Sequence, residues 1–143
     1  MKSALLIFFL LVASSANAAE SIIAAVTNQS GNASVRRNGL EQPLEAGMPL
    51  YEHDLIETAG NGQIGITFRD NSRIAIGPSS RVAVSRFAFR PVEKQYGFVV
   101  QLLHGTLEYI SGLTAKLSPN SISIETPTST IAVRGTHILT RAE

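Results

Sequence analysis

The sequence predicts an all-β domain, made of two packed antiparallel sheets (a β-sandwich) or a short β-roll, with about nine to twelve short strands. Three observations point there. Apolar residues recur with period 2 from Ile22 to Thr140, the repeat of a half-buried strand. Gly, Asn, Asp or Pro interrupts that alternation at intervals of roughly eight to twelve residues, a spacing typical of sandwiches and barrels. From Glu20 onward no stretch has the 3.6-residue period of an amphipathic helix.

The elements follow in order. "SIIAAVT" opens as a strand, and "ASVRRNGLEQPL" reads as two strands around Asn38-Gly39. Asn-Gly suits a two-residue hairpin because both positions tolerate positive φ. Ile64, Ile66 and Phe68 share one face, Asp70-Asn71-Ser72 turns the chain, and Ile74 and Ile76 face the core again. Gly77-Pro78 breaks that strand before Val82 and Val84 resume the pattern. "FAFRPVEKQ", residues 87–95, and "SGLTAKLSPN", residues 111–120, carry no clear pattern and are expected to be loops.

In "YGFVVQLL", residues 96–103, Tyr96, Phe98, Val100 and Leu102 lie on one face and Val99 and Leu103 on the other. That suits a central strand. His104-Gly105 is expected to turn it into "TLEYI", and "SISIET" and "TIAVRGTHILT" close the chain.

The first 18 residues are set apart from the fold. Lys2, an apolar run from Ala4 to Ala13 and the A-x-A sequence Ala16-Asn17-Ala18 have the layout of a secretory signal peptide. The run is shorter than the roughly 20 residues a spanning helix requires. Cleavage after Ala18 is therefore expected, leaving residues 19–143 as one domain with no membrane span. Without Lys2 the basic and acidic residues balance at eleven each, so no charge excess points to nucleic acid or anionic lipid. The chain has no cysteine, which excludes disulfides, thiolate metal sites, cysteine nucleophiles and lipid attachment at an N-terminal cysteine.

An enzyme is not expected, because no nucleophile elbow, zinc-protease helix motif or P-loop is present. His53, His104 and His137 are too widely spaced to match a local zinc motif. Asp70-Asn71-Ser72 is ordinary turn chemistry and lacks the spaced carboxylates of a calcium loop. No cofactor is expected. Tyr51, Tyr96 and Tyr109 could line a sugar platform, but the chain has no tryptophan, and core or boundary roles suit them better.

The stretch "TPTSTIAVRGTHILT", Thr126 to Thr140, stands out because it places Arg134, Gly135 and Thr136 within a strand pattern. Glycine weakens a strand interior, and arginine seldom enters a core without a partner. One reading is a bulge held by an inward Arg134 paired to Asp54, Asp70 or Glu57; the other is a partner contact. The structural reading is favoured here.

Six short motifs also occur in a telling order: "GMPL" at Gly47–Leu50, "HDLIET" at His53–Thr58, "FRDNSRI" at Phe68–Ile74, "IGPSS" at Ile76–Ser80, "LLHGTL" at Leu102–Leu107, and "TPTSTIAVRGT". Together, over about residues 22–141, they resemble the FecR-type periplasmic domain. The resemblance implies an all-β exported domain in the bacterial cell envelope. In the best-known members this domain is the periplasmic part of a regulator that reads an outer-membrane siderophore transducer and controls a sigma factor through a cytoplasmic N-terminal segment. A chain that opens on an export signal is expected to lack that segment, so the sigma-regulating role does not carry over. It also stops three residues after Thr140, where longer members continue, and is expected to be a fragment or a minimal domain. What the resemblance implies is a stand-alone, non-enzymatic periplasmic module binding an envelope protein, in sensing or scaffolding. The alternative is a glycan-binding module that docks on peptidoglycan or an exported polysaccharide.

Overall fold

The computed structural model describes residues 21–135 and 137–143. The expected signal peptide and cleavage point, and Thr136, lie outside the described residues.

The chain runs β1 (Ile22–Ser30), β2 (Ala33–Arg37), β3 (Leu40–Pro43), β4 (Pro49–Tyr51), β5 (Leu55–Thr58), β6 (Gln63–Phe68), β7 (Arg73–Ile76), β8 (Arg81–Arg90) and β9 (Gln95–Ile110). A short helix α1 (Leu113–Leu117) and a 3-10 turn at Pro119–Ser121 lead to β10 (Ile122–Glu125), β11 (Thr130–Ala132) and β12 (His137–Ala142). The all-β expectation holds, and the Asn38-Gly39 hairpin joins β2 to β3 with both residues at positive φ, 52° and 77°.

The strands form one curled sheet in two parts that share β9. The first part is ordered β4-β1-β6-β7-β9-β12, and the second β3-β2-β5-β8-β9-β10-β11. The front of β9 pairs with β8 and β10, while its rear, from Gly105 on, pairs with β7 and β12.

The turn expected at His104-Gly105 is therefore absent. The strand continues through it and changes sheet. Gly105 sits there at φ +96°, and a Cβ on it would lie 2.5 Å from the Ser80 Cβ. Ser80 needs that room, because its Oγ accepts the Thr106 N–H at 3.0 Å and so ties the start of β8 to the bend. Glycine here marks a bend within a strand rather than its end.

Three further expectations are corrected. Residues 87–90 continue β8, and only residues 91–94 form a turn, because Phe87 and Phe89 extend the ladder opposite Phe98 and Tyr96. Residues 111–120 hold α1 and the 3-10 turn, which carry the chain over to β10. As a result β10 runs parallel to β9, a direction that needs such a crossover, so the sheets are not wholly antiparallel. Finally, "TIAVRGTHILT" is two strands, β11 in the second sheet and β12 in the first.

The core lies between the two parts. Phe68, Phe87, Phe98 and Tyr109 make a cluster of rings, with Phe98 4.7 Å from Phe68, 5.6 Å from Phe87 and 5.5 Å from Tyr109. Such edge-on contacts add to the area term. Val35, Ile56, Val82, Val100, Leu102 and Ile124 are fully buried around them. Each such side chain stabilises the fold by about 1.5–3 kcal/mol.

Candidate functional site: the crossing between β11 and β12

The chain passes from the second sheet to the first between Ala132 and His137. Val133 anchors the start of the crossing: its side chain is buried, and its N–H donates to the Ile122 carbonyl at 3.2 Å. Period 2 then turns Arg134 outward, and it is exposed. Among the described residues no carboxylate forms an ion pair with it. Gly135 is also exposed and holds φ +121°, a conformation that side-chain-bearing residues rarely adopt. A Cβ added there would meet nothing within 4 Å, so backbone conformation and not crowding requires the glycine.

The inward arginine of the favoured structural reading is not present, because Arg134 is exposed. All three proposed carboxylate partners of Arg134 are engaged elsewhere. Asp54, 1% exposed, takes a two-pronged pair from Arg37, with Nε to Oδ1 at 2.8 Å and Nη2 to Oδ2 at 2.7 Å. Asp54 Oδ2 also accepts the Tyr51 N–H at 2.9 Å, and the guanidinium lies 4.4 Å from the Tyr51 ring centre. Asp70 is buried within the turn between β6 and β7, accepting the Ser72 N–H at 3.0 Å and the Thr114 N–H at 3.3 Å. Glu57 pairs with Arg81 at 3.3 Å.

A bidentate arginine on a buried carboxylate thus exists, but it is the part-buried Arg37. A signal for it was present in the sequence: Arg37 is two residues from Val35 on β2, in phase with a fully buried side chain.

The Asp70 turn is also where α1 docks. The Leu113 N–H donates to the Asp70 carbonyl at 2.7 Å. Tyr109 lies beside this turn, and its phenol is pushed well above the usual tyrosine value, first by burial and second by the Asp70 charge, with the Gly112 backbone acting the opposite way. Asp54 and Asp70 are therefore structural residues, each tying down a turn.

A shallow concavity of about 360 Å³ opens where the crossing meets the β9–β10 connection, lined by Ala115, Pro119, Asn120, Val133, Arg134 and Gly135. It offers a planar guanidinium with no ion-pair partner among the described residues, the Asn120 side-chain amide and the side-chain-free Gly135. Such a surface suits a carboxylate or an exposed peptide segment, because arginine's fork binds carboxylates bidentately. Asn120 and Pro119 were not singled out from the sequence, since they lie in a segment expected to be a loop without pattern.

The three histidines do not converge. His53 contacts Glu52 at 3.3 Å, His137 contacts Glu108 at 2.6 Å, and His104 lies opposite Arg81. Among the described residues no group of three His, Cys, Asp or Glu side chains could hold a metal ion. None of their helices is long and apolar enough to cross a membrane. The larger groove, about 630 Å³, runs beside β2 and β3; of its glutamates, Glu41 and Glu57 are already paired with arginines.

The FecR protein family model matches residues 54–143, which span β5 to β12 and include both the β9 bend and the crossing. Residues 22–53, included in the sequence resemblance, lie outside that match. Neither the curated proteins nor the solved structures contain a match. The family match covers more than half of the chain and agrees with the all-β fold: the chain belongs to the FecR protein family, whose members are envelope sensing and regulatory modules.

Proposed function

We propose that residues 19–143 form a non-enzymatic module, exported to the bacterial periplasm, that binds a protein partner in the cell envelope in a sensing or scaffold role. The contact is the β11–β12 crossing. The observation that carries this reading is the exposed Arg134, held beside the bare backbone of Gly135 and unpaired with any described carboxylate. Arg134 makes no ion pair with a described carboxylate, so the fold does not draw on its charge, and the side-chain-free Gly135 beside it leaves room for an incoming chain.

The tyrosines support protein over glycan. Tyr109 is buried, Arg37 covers one face of Tyr51, and Tyr96 lies beside Phe89 with ring centres 6.2 Å apart, an arrangement less suited to a shared sugar platform.

The test uses the exported protein immobilised in an envelope extract, beside co-sedimentation with purified peptidoglycan. The reading predicts a retained envelope protein that Arg134→Ala loses. Retention unaffected by Arg134→Ala, or co-sedimentation with peptidoglycan and no retained protein, overturns it.

A further inference from the structure

The chain carries two Asn-Gly pairs, Asn38-Gly39 and Asn61-Gly62. In such a pair the glycine main-chain nitrogen can attack the asparagine side-chain carbonyl carbon. Glycine favours the attack because no Cβ shields its nitrogen and its backbone turns freely. The fold treats the two pairs differently.

Asn61-Gly62 is held shut. The Gly62 N–H donates to the Ala59 carbonyl at 2.9 Å, and Asn61 Oδ1 accepts the Asn32 N–H at 3.2 Å. Gly62 is buried, and a Cβ on it would lie 2.3 Å from the Asn32 carbonyl oxygen. Both reacting groups are therefore tied to neighbours in a crowded place.

Asn38-Gly39 has none of these restraints. Both residues are exposed, and a Cβ on Gly39 would meet nothing within 4 Å. Among the described residues neither the Gly39 N–H nor the Asn38 side-chain amide has a hydrogen-bond partner. The pair closes the β2–β3 hairpin, whose outer strand β3 is exposed at all four residues. Among the described residues β3 pairs with β2 alone. An edge hairpin of this kind opens locally at low cost, and opening lets the turn reach the geometry of attack.

We propose that Asn38-Gly39 is a self-modification site, at which the protein converts slowly to isoaspartate. This is independent of the protein contact at Arg134. The Gly39 nitrogen bonds to Asn38 Cγ and gives up its proton, the Cγ–Nδ2 bond breaks, and ammonia leaves. Water then opens the cyclic imide. Attack at the Asn38 main-chain carbonyl leaves a free α-carboxylate and routes the chain through the side chain, one methylene longer. Nothing is oxidised or reduced, and water is the only co-reactant.

The consequence falls on Arg37. The two-residue loop sets Arg37 opposite Leu40, and an added backbone methylene breaks that register. The new carboxylate also stands one residue from the guanidinium that holds Asp54 through two hydrogen bonds, and it competes for it. Conversion thus loosens the tie between the hairpin and the turn before β5.

The exported protein, kept folded under warm, mildly alkaline conditions, should accumulate isoaspartate at residue 38, read by peptide mapping with mass spectrometry. Asn61 should convert at least about tenfold more slowly while the fold protects it. In urea the two sites should convert at comparable rates. Asn38→Gly keeps a residue suited to positive φ and should abolish the signal at the hairpin. The converted protein, separated by its added negative charge, should have a lower urea midpoint than fresh protein. Equal rates at the two sites in the folded protein overturn the proposal, as does a folded protein in which Asn38 does not convert. A converted protein that keeps the midpoint of fresh protein overturns the link to Arg37.

Discussion

Replacing Arg37 by alanine isolates the interaction that ties the β2–β3 hairpin to the turn before β5. Asp54 is buried and accepts three hydrogen bonds, two of them from Arg37 at 2.8 and 2.7 Å. Removing one partner of a buried pair strands the other charge, which costs about 3–5 kcal/mol. The Arg37 side chain is 22% exposed, so water can reach part of the vacated space. The expected loss is therefore lower, about 2–4 kcal/mol. With a urea slope of about 1–3 kcal/mol per molar, the midpoint should fall by roughly 1–2 M. Arg37→Lys keeps the charge but not the two-pronged geometry and should fall in between. Asp54→Ala in the Arg37→Ala background should cost less than Asp54→Ala alone, because no charge is then stranded. A double-mutant cycle by urea denaturation should give a coupling of about 2 kcal/mol or more. A loss below about 1 kcal/mol for Arg37→Ala, with no coupling, would refute the assignment of Arg37 as the structural arginine.

Gly105→Ala should destabilise more than Gly135→Ala: both force a side chain into positive φ, at about 1–3 kcal/mol, but only Gly105 also drives a Cβ into Ser80. Thermal melts of the two variants order them, and an equal loss contradicts the steric account of the β9 bend. The raised Tyr109 value makes stability fall as pH rises past about 10, where tyrosine ionises in the unfolded chain but not in the folded one. In Tyr109→Phe that alkaline loss should shrink, and an identical stability profile from pH 8 to 11 in both proteins would contradict it. Intact-mass spectrometry of the exported protein should show Ala19 as the first residue, and a mass retaining Lys2 would mean an anchor instead.

Much of the fold was legible because most strands have one buried face. Ile64, Ile66, Phe68, Ile74, Ile76, Val82 and Val84 alternate with polar or small residues, and each is buried where the alternation placed it. What the alternation does not encode is which sheet a strand joins. Gly105 reads locally as a turn residue, yet the apolar phase continues across it from Leu102 to Leu107 and Tyr109 after a shift of one residue. That phase slip was the visible trace of the bend. The crossover through α1 was hidden because a five-residue helix is too short to show a period.

The site was half legible. Arg134 and Gly135 stood out in the sequence because both are out of place in a strand pattern. Their orientation was not, because phase along "TIAVRGT" is only decided once Val133 is known to point inward. Arg37 was overlooked because an arginine beside a hairpin turn resembles an ordinary exposed charge.

The unfolding midpoint of Arg134→Ala tests most directly the claim that Arg134 is held for a partner and not for the fold. An exposed arginine without a described ion pair should leave both midpoint and slope at their wild-type values, within the roughly 0.5 kcal/mol expected of a surface substitution. A fall comparable to that of Arg37→Ala would contradict the account, because it would make Arg134 a structural residue.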